Sequence, residues 1–340
     1  MTSFILVSLP RLDLTDVFRA LFQAVQGVVR ERWHYYVPNC HVPGPQPIIP
    51  REWGQEWSSC NGAKQSPVLL LPHKSIGVAV PPLRFKHFST PLANPVVYNT
   101  GRTLRVRASM PKPIVTGGLL AEEYVFDQAE FHWGRDDHSG SEHIVDALSY
   151  AVEVQMTFRL RTPSARVDCK ECPPAYVGLA TQLKTVRQRN PLLRTLVSSL
   201  SSVTYALERT DLPLPLRLIA FLPNDTRNYY MYEGSRTVPP CTENVLWIVF
   251  REPTFIGREQ VKMLRQLYAF PEVFSCNRHL VANLRPLQEI GPHEDALQNV
   301  QFCPFEVAAE LHHDLGVHPV ILQEHNLAPK MTSLNNVALS

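Results

Sequence analysis

Glycine is scarce in this chain, with fifteen residues in 340 against thirty prolines. A sequence poor in the most flexible residue and rich in the one that fixes φ argues for long extended connections and against a helical bundle. Long apolar runs are also missing, so no transmembrane segment is expected. Charge of one sign is absent too: thirty-three Lys and Arg against thirty-one Asp and Glu leave a net charge of +2, which gives no electrostatic case for nucleic acid or an anionic membrane. There is no internal repeat. The lone CxxC, Cys169-Lys170-Glu171-Cys172, has no second pair beside it to complete a zinc site, so a loop disulfide or two free thiols fits it better. What is present is a 44% hydrophobic chain, long enough for one large soluble β domain with extensions.

Apolar runs predict strands over Thr103 to Val106, Tyr124 to His132, Tyr150 to Phe158, Tyr176 to Ala180, Arg217 to Phe221 and Val245 to Phe250. Asn190-Pro191 opens a predicted helix running to Leu200, with proline in its first turn. A second helix is predicted over Gly257 to Tyr268, with Val261, Leu264 and Leu267 on one face. The segment Arg161 to Pro174 is charged and rich in cysteine and proline, and reads as a surface loop. Near the N-terminus, Phe4-Ile5-Leu6-Val7 is shorter than the apolar core of about 7 to 15 residues in a signal peptide, and Pro10 and Arg11 follow it closely. From Thr15-Asp16 the apolar residues Val17, Phe18, Leu21, Phe22, Val25, Val28 and Val29 recur at helical spacing, so residues 12 to 31 read as an amphipathic packing helix. Phe305 to Leu315 could form one more short helix in a loosely held tail, where His312, His313 and His318 read as solvated because they lack fixed ligand spacing.

The most informative residues are polar ones inside predicted strands. Side chains alternate faces along a strand, so Gln128, Glu130 and His132 share one face, as do Glu153, Gln155 and Thr157 on another strand. The segments Glu130-Phe131-His132-Trp133-Gly134 and Glu153-Val154-Gln155-Met156-Thr157 resemble the two metal strands of the α-class carbonic anhydrases. That family carries histidines at the positions of Glu130, His132 and Gln155. Other motifs follow in order: Trp57, Cys60, Gly62 and Gln65-Ser66-Pro67; Gly140-Ser141-Glu142-His143-Ile144-Val145-Asp146; Tyr232 through Cys241 with Trp247-Ile248-Val249; and Asn283-Leu284-Arg285-Pro286 with Gln288. The resemblance covers residues from about 50 to 290.

The resemblance implies the α-carbonic-anhydrase fold, mainly β, with a twisted and mostly antiparallel central sheet and short peripheral helices. It divides the chain into an N-terminal extension over 1–30, a carbonic-anhydrase-like domain over 31–304 and a tail over 305–340. Catalytic zinc needs three protein ligands and an open water position, and then acidifies that water to a pKa of about 7. An amide at Gln155 is a poor zinc ligand, and a carboxylate at Glu130 lowers the positive charge that acidifies the water. The positions Glu130, His132 and Gln155 therefore read as a hydrogen-bonded polar pocket, with a weak or different metal site as the alternative.

The family's remaining functional positions can be matched singly. Glu142 and Thr237 match the pair that orients the zinc-bound hydroxide. Gln128 and Glu153 match groups that support the ligands from behind, and Glu153 could instead accept from the Gln155 amide. Arg102 stands where the proton-shuttle histidine is usual, and its pKa is too high for it to shuttle. In the carbon dioxide pocket, Thr157 and Arg236 are polar replacements while Val245 and Trp247 keep their character. Cys60 and Cys241 occupy the places of the disulfide of extracellular and membrane-anchored members, which implies an oxidising compartment. Cys276 and Cys303 flank the closing motif and are a candidate second pair, Cys40 leaves the count odd, and Asn224-Asp225-Thr226 is a glycosylation sequon. Together these features imply an inactive carbonic-anhydrase-related protein that is secreted or extracellular. It would bind a protein partner, at the cell surface or in the extracellular space, without a cofactor. The alternative is an active or altered carbonate dehydratase in which Glu130, His132 and Gln155 form a modified metal site.

Overall fold

The computed structural model describes residues 33–35, 47–162, 172–274, 276 and 278–288, together with the backbone of 301–302 and 321–322. The expected helix over 12–31, most of the 161–174 loop, Cys40, Cys169, Cys303 and the side chains of the C-terminal tail lie outside these residues.

A large mixed sheet dominates, with few short helices around it. Its central run comprises β1 (Ala93–Asn99), β2 (Leu104–Ser109), β3 (Leu120–Trp133), β4 (Val152–Leu160), β5 (Tyr176–Val186), β6 (Arg209–Asp211), β7 (Tyr229–Gly234) and β8 (Val245–Phe250). The spatial order is β6-β1-β2-β3-β4-β5-β8-β7. Every pairing in that run is antiparallel except β5 with β8. This is the mainly β architecture expected of the resemblance.

Alternation along β3 and β4 builds the two faces. Ala129, Phe131 and Trp133 on β3, with Val152, Val154, Met156 and Phe158 on β4, point into the main apolar core, each 2% exposed or less. The opposite face carries Gln128, Glu130 and His132 beside Glu153, Gln155 and Thr157, all buried as well. The register sets Glu130 against Gln155, His132 against Glu153 and Gln128 against Thr157, after an irregularity between Phe126 and Gln128. A one-residue slip would exchange the polar set for the apolar one, so burial of Phe131 and Trp133 enforces this register. Nearby, Gly178 on β5 lets the Trp247 indole lie against the backbone, because a Cβ there would sit 2.6 Å from the ring.

Predicted and observed elements differ in kind or continuity at three places, and the strands Leu104–Ser109, Leu120–Trp133 and Tyr176–Val186 run longer than predicted. The strand expected over Arg217 to Phe221 is a 3-10 turn, Leu218–Phe221. Its apolar residues bury Leu218 and Phe221 three positions apart while Ile219 is exposed, a spacing that a short apolar run does not reveal. The helix expected over Asn190 to Leu200 is split into Pro191–Leu193, Arg194–Ser198 and Leu200–Ser202. Asn190 caps the first turn by accepting from Leu192 N, and the hydroxyls of Ser198 and Ser199 donate back to the carbonyls of Thr195 and Leu196 where the α-helical turn ends. The helix expected over Gly257 to Tyr268 covers only Arg258–Leu264, but it buries Val261, Leu264 and the following Leu267 as expected.

Candidate functional site

The polar face of β1 to β3 floors a cavity of about 670 Å³. Its wall and rim come from Trp33, Tyr35, Leu207 and Val238, and from the turn between β1 and β2. That turn is held by Asn99, whose Oδ1 accepts from Gly101 N while its Nδ2 faces the carbonyls of Val203, Thr204 and Tyr268. Gly101 adopts φ +79°, where a side chain would be strained and a Cβ would meet Ala269 O at 2.8 Å. The turn delivers Arg102, whose Nε donates to Trp33 O at 2.9 Å and whose guanidinium lies 4.5 Å over the Trp33 ring.

At the base, each of the three positions matched to zinc histidines has defined partners. Glu130 Oε1 accepts from Arg105 Nε at 3.1 Å and Nη2 at 2.8 Å, Glu130 Oε2 accepts from Gln128 Nε2 at 2.8 Å, and Arg236 Nη2 is 3.7 Å away. Burial would raise the Glu130 pKa, but Arg105 and Arg236 outweigh it and hold the carboxyl at about 2. His132 donates from Nδ1 to Asn283 O at 2.7 Å, so in the neutral ring Nε2 carries the lone pair. Burial alone would lower the His132 pKa; Glu142, 3.5 Å from Nδ1, together with the Asn283 carbonyl raises it.

Gln155 Nε2 donates to both Glu142 Oε2 and Glu153 Oε1 at 2.8 Å, and its Oε1 accepts from Thr237 Oγ1 at 3.4 Å. Glu142 also accepts from Arg285 N at 2.7 Å. Burial and the Glu153 charge push the Glu142 pKa up against the opposing pull of His132. Burial would raise Glu153 as well, yet it is lowered by His143, which gives it both its backbone N–H and its Nδ1 at 2.8 Å. The far side of His143 meets Tyr232 Oη at 2.7 Å, and that hydroxyl donates to Ser66 Oγ. The strands thus bring His132, Glu142, Glu153, Gln155 and Thr237 into one network, and Gln128 and Glu130 with Arg105 and Arg107 into a second one beside it. Arg236 reaches the second only through Glu130. Thr157, Val245 and Trp247 are buried nearby and do not line the open cavity.

Sequence reasoning passed over four residues here. Tyr35 is buried with its ring perpendicular to that of His132, centroids 6.5 Å apart, and burial together with Glu142 raises its pKa well above the usual phenol value. Trp33 forms the rim beside it. Arg105 and Arg107 share the floor face of β2, where Arg107 Nε and Nη2 donate to Gln128 Oε1 at 3.3 and 2.9 Å. The alternation Leu104-Arg105-Val106-Arg107 carried the signal, since it places two arginines on one face of a strand. Among the described residues, no group of three or more His, Cys, Asp or Glu is placed to hold a metal ion.

Beside the site, Cys60 and Cys241 form a disulfide across a sequence separation of 181, with Cα atoms 4.9 Å apart. Cys172 and Cys276 are each held in a disulfide as well. Arg285 Nη2 donates to Cys60 O and its Nη1 to Ser66 O, which ties the closing motif to the opening one.

The eukaryotic-type carbonic anhydrase profile matches residues 49–294. The chain belongs to that family. It is 29% identical to mouse (Mus musculus) carbonic anhydrase 15 over 250 residues, which cover 71% of this chain and 77% of that protein. It is 27% identical to human (Homo sapiens) carbonic anhydrase-related protein over 261 residues, covering 71% and 88% respectively. Human receptor-type tyrosine-protein phosphatase zeta matches at 29% over 216 residues, 62% of this chain and only 9% of that much longer protein. As a carbonic anhydrase family member the chain has the expected fold, and the Cys60–Cys241 bridge is formed as the resemblance implied. No helix among the described residues is long and apolar enough to cross a membrane.

Proposed function

We propose that this chain is a carbonic-anhydrase-family domain that does not hydrate carbon dioxide and instead acts outside the cell as a protein-binding module. The observation that carries this reading is the commitment of the base residues to one another. Glu130 is neutralised by Arg105 and lies close to Arg236. Gln155 turns its amide N–H groups toward Glu142 and Glu153. That donor set does not suit zinc: one imidazole nitrogen remains, the amide is a weak ligand, and a dication would stand beside two guanidinium groups. The Glu142 carboxylate and Thr237 hydroxyl, which the resemblance assigns to orienting a hydroxide, are here hydrogen-bonded to Gln155.

The placement outside the cell rests on the Cys60–Cys241 disulfide, whose kind persists in oxidising compartments, and on the likeness to a receptor phosphatase. The sequon residue Asn224 is exposed, which suits glycosylation in the same compartment. Stopped-flow carbon dioxide hydration together with elemental analysis tests the reading. The expected result is no acetazolamide-sensitive turnover and no stoichiometric zinc in the purified protein. One equivalent of zinc with inhibitor-sensitive hydration would overturn it.

A further inference from the structure

We propose that the cavity is a binding site for a small organic polyanion, a polycarboxylate or phosphate ester, held by Arg107, Arg209 and Arg102. Among the described residues, four arginines line the cavity, Arg102, Arg105, Arg107 and Arg209, against a single carboxylate, Glu130. Strand register places them on one concave surface. Arg209 pairs with Tyr98, Tyr98 with Arg105 and Arg105 with Glu130, so one row across the sheet runs Arg209, Tyr98, Arg105, Glu130. Arg107 lies two residues along β2 from Arg105, on the same face. Arg209 and Arg105 are two strands apart, about 10 Å between backbones, and long arginine side chains span that gap from both sides.

Glu130 is already engaged by Arg105 and does not balance the others. The Arg107 guanidinium bonds only to the uncharged amide oxygen of Gln128, which uses two of its five N–H donors and none of its charge. Among the described residues neither Arg107 nor Arg209 has a carboxylate at ion-pair distance. Guanidinium forks suit carboxylate and phosphate oxygens, and a concave low-dielectric wall focuses their field. With Glu130 paired to Arg105, the uncompensated charge lies at Arg107 and Arg209, so the ligand sits beside them, with its carbon skeleton against apolar lining such as Leu207. A volume of 670 Å³ falls in the range of small-molecule sites.

This inference is independent of the proposed function, because the titration below reads neither zinc nor capture of a protein partner. The test is calorimetric titration of the full chain with citrate at low salt, alongside uncharged citramide and a hexaglutamate peptide. Citrate is expected to bind and citramide not. The Arg107→Gln/Arg209→Gln variant should bind citrate at least about tenfold more weakly. Arg194→Gln, an exposed arginine on a short helix, should leave binding unchanged. All three arginine substitutions are at exposed positions, so loss of folding does not confound them. No heat with millimolar citrate, an unchanged affinity in the double variant, or binding of hexaglutamate alone would each overturn the assignment.

Discussion

Arg105→Gln tests whether the base of the cavity is held together by charge. Glu130 is a buried carboxylate whose pKa falls from the ordinary 4.5 to about 2, with burial opposing and Arg105 the leading favourable cause. A drop of that size corresponds to about 3 kcal/mol of stability at neutral pH. Removing the guanidinium leaves Glu130 with the Gln128 amide and with Arg236 at 3.7 Å, so part of the stabilisation should survive. The expected loss is about 1–3 kcal/mol at pH 7. The sign follows from the depressed carboxyl: its contribution is fully present above the unfolded value near 4.5 and disappears as pH falls toward 2. The variant's deficit should therefore shrink below half by about pH 3. Urea unfolding followed by tryptophan fluorescence, with disulfides intact, measures this at both pH values. The double variant Arg105→Gln/Glu130→Gln should recover most of the loss, because two amides can hydrogen-bond without a buried charge. A single-variant loss below about 0.5 kcal/mol, typical of an exposed pair, or a loss independent of pH, would refute the reasoning.

Replacing Glu130 and Gln155 by His supplies three imidazoles on strands of matching register with Glu153 in place behind one of them, so zinc uptake should rise; it should rise further when Arg105→Gln is added, because removing Glu130 otherwise leaves two guanidinium groups facing the dication. Equilibrium dialysis against zinc reads both steps, and no gain in the double-histidine protein would show that these positions are not the family's ligand positions. Breaking the Cys60–Cys241 bridge by Cys→Ser substitution at both positions frees a loop of 181 residues and should cost up to about 5 kcal/mol, read as a fall in the midpoint of chemical unfolding. A midpoint unchanged within error would mean the bridge adds nothing to stability.

Ordered motifs alone carried the family, the mainly β class and the positions of the polar triad, since alternation puts Glu130 and His132 on one face whatever surrounds them. The same rule could have exposed Arg105 and Arg107, but the predicted strand stopped at Val106, whereas β2 continues to Ser109. Local sequence could not separate a strand from the 3-10 turn Leu218–Phe221, because both bury some apolar residues and only the neighbouring core decides which. Nor could it say which way each polar group would turn. Whether Gln155 offers its oxygen or its N–H groups depends on Glu142 and Glu153, which arrive from separate segments. Whether Glu130 stands ready to bind a metal depends on Arg105, which lies on the neighbouring strand, twenty-five residues away in sequence. Residue types at fixed spacing follow from covalent order and strand geometry. The pairing of buried charges is settled by long-range packing, because a desolvated carboxylate takes whatever counterion the tertiary fold brings within reach.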